Sequence, residues 1–444
     1  MKSLLFFVLL MCICYSDIYS RNINKEEKRR VIVTTDLGGT DPDDTQSLLH
    51  LLLSSDVIDI EGIISSNAWV DEPDNTDKIL KIVDGYEKVL PILKIHSEGF
   101  PDADYLKSVV KRGQNISNMS GVGEGKDSPG SELIISSLFA DDERPVWLAA
   151  WSGLNTVAQA IWKVYNKMTP EDFKKFVSKI RIYDILGQDD AGAWIAKNFP
   201  QIIYIRNKKV YGWGPSDDWI KEKIQSVKPY GGMYPDRKWA SEGDSPSFMY
   251  IVANGINVPD SLTYGGWGGR FVYEKEVSVR GMSFIEKSGK DEGQYDPYYM
   301  YVSAPEGIDA INIWREHILN DFEARMKWTV AKKYSEANHH PVAVINGDST
   351  YNHMIINIEN KHDIVIDASS SFDPDGDELE YKWYVYAEAG TYGESIVLNN
   401  PNTSKCHVQI PENAKGKNFH VILVLSDKGI PSLTTYKRIV FNII

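Results

Sequence analysis

Cysteine is scarce in this chain: 444 residues hold three, and two of these stand at positions 12 and 14, leaving Cys406 as the sole thiol farther on. One thiol makes no intramolecular disulfide, so thiol-pair chemistry is excluded and stability must come from the core, with or without bound metal. Positive charge is also short. Lys and Arg number 48 against 62 Asp and Glu, a net charge of −14, which argues against a nucleic acid polymer or an anionic membrane surface as partner. Neutral sugars, metal ions and cationic ligands stay open. No internal repeat or low-complexity tract stands out, and the long apolar run is confined to the start, MKSLLFFVLLMCICYSDIYSRN. There Lys2, an apolar stretch from Leu4 to Cys14 and small residues at Ser16 and Ser20 have the layout of a signal peptide over residues 1–20. The stretch is too short to span a bilayer as a mature helix. A secreted or periplasmic location is therefore expected, with acylation at Cys12 or Cys14 the less favoured alternative because the preceding residues are not small.

The composition that remains, 42% apolar and 25% charged, is that of a globular protein, and the length exceeds one ordinary core. From Arg29 to Asn207, β-rich runs (VIVTTD, DIEGIISSNAW, PVWLAAWSG, IRIYDIL, IIYIR) alternate with helical patterns such as TQSLLHLLLSS and LNTVAQAIWKVYNKM. This alternation predicts a Rossmann-type α/β fold on a mainly parallel sheet, with functional loops at the carboxyl ends of its strands. Residues 210–301 are rich in aromatics, including Trp213, Trp239 and Trp267, and read as long loops and short elements over those strand ends. A helical period returns at IWREHILNDFEARMKWTVAKKY and closes a first domain over residues 29–335; SEANHHPVAV reads as a linker. From residue 341 to 444 the period becomes two, and seven short strands predict an all-β immunoglobulin-like sandwich.

One stretch, VIVTTDLGGTDPDDTQSLLHLLL, joins a strand to a helix through a loop carrying Asp36, Asp41, Asp43 and Asp44. Carboxylates converging at a strand's carboxyl end and a helix's amino end suit a hard cation such as Ca²⁺, which takes six to eight oxygens. The spacing is not that of an EF-hand. Asp43 as a helix cap, with Asp36 and Asp41 as solvated turn residues, accounts for the same pattern.

The stretch resembles the opening of the nucleoside hydrolase fold, whose first strand ends in an Asp-x-Asp-Pro-Gly-x-Asp-Asp motif. By that resemblance Asp36 is a Ca²⁺ ligand and the base that activates water, Asp43 a contact to a sugar hydroxyl, and Asp44 a second Ca²⁺ ligand. The family's first Asp is Thr34 here, and Asp41 has no family counterpart. The resemblance further implies sugar contacts from Asn67 and from the region Gln188, Asp189 and Asp190, a metal-facing backbone carbonyl at Trp151, and a last carboxylate in SEGDSPSF. In that segment Asp244 is the metal candidate and Glu242 a substrate contact. The family's proton-donating His is missing, since no histidine lies between His96 and His317; Glu242 and Tyr250 are the substitutes considered, because a leaving base needs a proton.

From Arg30 to Ile444 the chain is similar to secreted bacterial cellulose-binding proteins that pair a nucleoside-hydrolase-like domain with a C-terminal β-sandwich. TTDLGGTDPDD, SEGDSPSF, GGWGGRF and DASSSFDPDGDELEYKWYVYAEAGTY carry the similarity. It implies a carbohydrate or glycoside ligand. Flat aromatic faces suit sugar C–H faces, and Trp267 and Arg270, set among glycines, are the favoured contacts. SFDPDGDELEYKWYVY resembles a polycystic-kidney-disease-like turn, in which Asp373, Asp375 and Asp377 either hold a structural Ca²⁺ or simply make the turn, and Trp383 is the core tryptophan. Two functions stay open: a Ca²⁺-dependent glycoside hydrolase, and a non-catalytic glycan-binding protein.

Overall fold

β1 (Arg29–Thr35) alternates its side chains between two apolar layers. Val31 and Val33 enter the layer under helices Asp43–Leu53, Thr76–His96 and Arg315–Trp328, and Ile32 enters the layer under helices Pro129–Phe139 and Asn155–Lys167. A strand apolar on both faces must be covered on both, which requires helices between parallel strands. The computed structural model describes residues 27–39, 41–67, 74–276, 298–359 and 363–444, and the expected leader lies outside them. Among the described residues no helix is long and apolar enough to cross a membrane.

The first sheet adds β2 (Ile58–Ser65), β3 (Val110–Arg112), β4 (Val146–Ala150), β5 (Ile180–Ile185), β6 (Ile203–Asn207), β7 (Phe271–Glu276) and β8 (Tyr298–Ser303), in the order β3-β2-β1-β4-β5-β6-β8-β7. Every pairing is parallel except β7 with β8. The expected α/β fold is present. The hairpin-like edge of β7 and β8 is an addition that the sequence pattern, dominated there by aromatics and glycines, did not signal. Strand order reverses between β1 and β4, and at such a switch point the loops beyond the two carboxyl ends part to leave a crevice. Asp36 follows β1 and Trp151 follows β4, so both stand at its rim.

The seven expected C-terminal strands all form: β9 (Met354–Ile358), β10 (Asp363–Asp367), β11 (Leu379–Val385), β12 (Leu398–Asn399), β13 (Lys405–Gln409), β14 (Asn418–Asp427) and β15 (Thr434–Ile443). They build a sheet β10-β13-β12 and a sheet β11-β14-β15-β9, around a core that includes Trp383. The outer face of the second sheet is solvated only in part, since Glu380 and Lys382 of β11 are exposed. Ile422, Val424 and Tyr436 belong to the same apolar cluster as Val31 and Trp147 of the first part. The segment read as a linker is packed as well: Asn338 and His339 are buried, and the His339 ring stacks on Tyr334 with centroids 3.6 Å apart.

Candidate metal and sugar site

Helix Asp43–Leu53 begins with two acids where its dipole favours them, and its polar residues Asp43, Gln46, Ser47 and His50 recur at i, i+3, i+4 and i+7, a single face. That face grips the segment that contains Asp244. Gln46 donates to the Pro235 carbonyl at 3.0 Å and accepts from the Glu242 amide at 3.0 Å; the Ser245 hydroxyl meets Ser47 at 3.0 Å; His50 Nδ1 lies 2.9 Å from Glu242 Oε2. Glu242, at positive φ and fully buried, also accepts from the hydroxyls of Tyr234, at 2.6 Å, and Ser245. The result brings Asp244 to Asp43 and Asp44. Gly243 makes the approach feasible, because a Cβ there would lie 2.5 Å from Asp43 Oδ2.

Asp43, Asp44 and Asp244 are buried, and one oxygen from each lies within 4.8 Å of the others. Burial and mutual repulsion raise all three carboxyls: Asp43 to about 8, with Asp41 and Asp36 adding to burial, and Asp44 and Asp244 well above the usual range. Asp44 accepts from the Thr35 hydroxyl and is hydrogen bonded to Asp36, which joins the cluster from its more exposed side. Asp244 Oδ2 and Asp41 Oδ1 are buried with no hydrogen-bond partner. Buried carboxylate oxygens seldom stay unpaired, and an all-oxygen set of this kind fits Ca²⁺. Tyr211, 41% exposed, edges the cluster against Gly243, and the acids together with burial hold its phenol protonated.

The remaining expected residues are distributed differently. The Trp151 carbonyl accepts from Gln188 Nε2 at 2.5 Å, which places these two side by side at the rim, and the Trp151 indole donates to Ser247. Asn67 is buried with its Nδ2 on the Asn115 carbonyl. Asp189 accepts from the amides of Asn155 and Ala191, and Asp190 from that of Met119, so both carboxylates tie loops together. Glu242 is enclosed by its partners, and the Tyr250 hydroxyl donates to the Pro259 carbonyl at 3.1 Å, which leaves neither free to protonate a leaving group. Trp267 is 3% exposed and donates to the Tyr436 hydroxyl, and Arg270 makes a two-pronged ion pair with Glu306; both face the junction with the C-terminal sheets. Trp213 is buried, whereas Trp239 is 63% exposed. In the turn before β11, Asp373 accepts from the amides of Asp375 and Asp377, and Asp375 pairs with His339.

His50 and Tyr211 escaped the sequence reading. The i+7 spacing of His50 from Asp43 was a usable signal; nothing local pointed to Tyr211.

A mainly parallel sheet with an acid cluster at its switch point defines a nucleoside-hydrolase-like protein. The comparisons agree. The family described as "Cellulose-binding Sde182, nucleoside hydrolase-like domain" matches residues 30–271, and the family's C-terminal domain matches residues 363–443. A solved structure from Saccharophagus degradans, a nucleoside hydrolase-related hypothetical protein described as associated with carbohydrate metabolism, is 46% identical with a TM-score of 0.90, covering 94% of this chain and 100% of that one. The chain belongs to the Sde182 cellulose-binding family. A PKD domain from the KIAA 1837 protein is 14% identical over 23% of this chain and 87% of that one, with a TM-score of 0.17. Among curated proteins none matches the chain.

Proposed function

We propose that this protein is an exported, Ca²⁺-dependent glycoside hydrolase that cleaves an N- or O-glycosyl bond of a furanose-like sugar. One observation carries the reading: Asp43, Asp44 and Asp244 converge within 4.8 Å at the sheet's switch point, with the Asp244 Oδ2 atom unpartnered. When bound, the ion would neutralise the cluster and coordinate vicinal hydroxyls. Asp44 and Asp244 would hold it together with Asp36, and the family resemblance adds the Trp151 carbonyl. Asp43 accepts a hydroxyl of the sugar. Asp36, the more exposed acid, takes a proton from the water that attacks the anomeric carbon through an oxocarbenium-like state, while the bond to the aglycone breaks and the aglycone leaves as an anion with the bonding pair. Tyr211 offers a ring face for the sugar and a protonated hydroxyl at the mouth.

A second reading, glycan binding without turnover, is favoured by a separate observation: Glu242, Tyr250 and His50 are all occupied or buried. A substrate with a good leaving group reconciles the two. Aryl furanosides, neutral oligosaccharides and nucleosides are to be assayed with calcium and with chelator, for the parent protein and Asp36→Asn. Turnover that requires both calcium and Asp36 supports hydrolysis. No turnover of any class while calcium is bound leaves binding alone.

A further inference from the structure

His96 ends helix Thr76–His96 of the first part, Asp375 lies in the turn before β11, and His339 of the connecting segment stands between them. The row is continuous. His96 Nε2 is 2.8 Å from the Ala331 carbonyl, His96 Nδ1 is 3.0 Å from His339 Nε2, and His339 Nδ1 is 3.0 Å from Asp375 Oδ2. Both rings are buried, and Asp375 spends its two oxygens on the ring and the backbone amide of His339. Among the described residues, three metal-ligating side chains gather at Asp43, Asp44 and Asp244 and not here.

The hydrogens of this row can be counted. A carbonyl and a carboxylate only accept, so three hydrogen bonds strung across two imidazoles require three ring hydrogens. Two neutral imidazoles bring two. The third is an added proton, and moving it onto the carboxyl leaves the count unchanged. Burial and the neighbouring His339 hold the His96 pKa below the usual histidine value, which assigns the charge to His339.

Ring stacking supports the same assignment. Tyr334 covers the His339 ring with centroids 3.6 Å apart and planes 2° from parallel, and Trp328 stacks on it at 5.3 Å. Neutral rings avoid such face-to-face overlap, whereas a cation is drawn to an aromatic face. The charges facing the pair are mostly negative. Glu336 acts on it from its own segment, Asp373 from the turn, and Glu98 from the wall of the adjoining cavity of about 320 Å³. From helix Arg315–Trp328, Arg325 is neutralised by Asp321 and Asp56, Asp321 also pairs with His340 at 3.0 Å, and Asp427 reaches the segment through Asn338.

We propose that one bound proton latches the connecting segment to both halves of the molecule, and that its release loosens this segment while the apolar contacts of the C-terminal sheets persist. The sign follows from proton counts. Above about pH 6.5 an unfolded chain leaves both imidazoles neutral while the closed row holds one proton, so closure weakens as pH rises. Below that value the unfolded chain carries two protons against one, so closure weakens again as His96 is forced to charge. The latch is therefore tightest near about pH 6.5.

The test uses the full chain labelled with ¹⁵N-histidine, its imidazole nitrogens followed by nuclear magnetic resonance from about pH 5 to about pH 9.5. Trypsin cleavage after exposed Lys332 and Lys333, normalised to an unstructured peptide at each pH, reads the latch itself. At about pH 7.5 His339 should carry hydrogens on both nitrogens and His96 on Nε2 alone, and cleavage should quicken about fivefold or more between about pH 7 and about pH 9. Asp375→Asn keeps an acceptor without the charge, and should release the proton about one pH unit or more earlier, a tenfold loss of proton affinity. His339→Gln should be cut rapidly at every pH. A neutral His339 at about pH 7.5 in the parent, proton release unmoved in Asp375→Asn, or cleavage of the parent that does not change with pH overturns the proposal.

Discussion

Replacing Asp44 with Asn should stabilise the metal-free protein and abolish its response to calcium. Oxygens of the three acids lie within 4.8 Å of one another, and at an effective dielectric near 20 each pair of full charges then costs about 3.5 kcal/mol, roughly 300-fold against ionising the second group. A carboxyl whose pKa is higher in the folded chain than in the unfolded one contributes stability below its unfolded value and loses it as pH climbs toward the folded value. For Asp43 that window runs from the ordinary carboxyl value of 3.8 to about 8. The parent in chelator should therefore lose stability between pH 5 and pH 8, and Asp44→Asn should lose less, because one member of the mutually repelling set is gone. At pH 8 the variant should be the more stable by about 1–3 kcal/mol, the Coulomb figure reduced for relaxation and water entry. Asn retains an acceptor for the Thr35 hydroxyl, so the local hydrogen bond survives. Calcium at about 100 times its Kd should stabilise the parent by about 2.7 kcal/mol and the variant by under about 1 kcal/mol. Thermal unfolding with and without calcium, at both pH values, reads all of this. A variant no more stable than the parent in chelator at pH 8, or one that keeps the full calcium shift, would mean that the three acids do not share an ion.

Gly243→Ala should push Asp43 aside, since its Cβ would stand 2.5 Å from Asp43 Oδ2, and calcium titration should show affinity reduced about tenfold or more with far-ultraviolet dichroism unchanged. Glu242→Ala should destabilise the fold by about 3–5 kcal/mol in denaturant melts, because it strands buried His50 and the hydroxyls of Tyr234 and Ser245. Tyr211→Ala should lower affinity for the sugar at the acid site and leave calcium affinity within about twofold, as the ring edges the cluster without ligating through a carboxylate.

Five of the eight strands of the first sheet and the C-terminal strands were legible because alternation and β-branched runs are local properties: VIVTTD became β1, and each of the seven C-terminal runs became a strand, whereas β3, β7 and β8 carry no such run. The acid loop was legible for the same reason, and Asp244 was found through its motif. What escaped was everything decided by partners far apart in the chain. Glu242 reads as a free acid until His50, 192 residues away, is seen beside it. Gln188, Asp189 and Asp190 read only as a region, and the backbone amides that Asp189 and Asp190 accept from come from neighbouring loops that the local sequence does not reveal. Trp267 and Arg270 sit among glycines as ligand contacts often do, yet tight packing buries Trp267 and an ion pair ties half-buried Arg270 to Glu306.

Tyr436 of β15 takes hydrogen bonds or ring contacts from Trp267, Trp314 and His317, and with Ile422 and Val424 it belongs to the cluster that underlies the first sheet. The C-terminal sheets are thus not a module swinging on a tether. They form a fixed wall against which the helices of the first part are braced, so a strain applied at one half is carried to the other through Tyr436 and its ring partners.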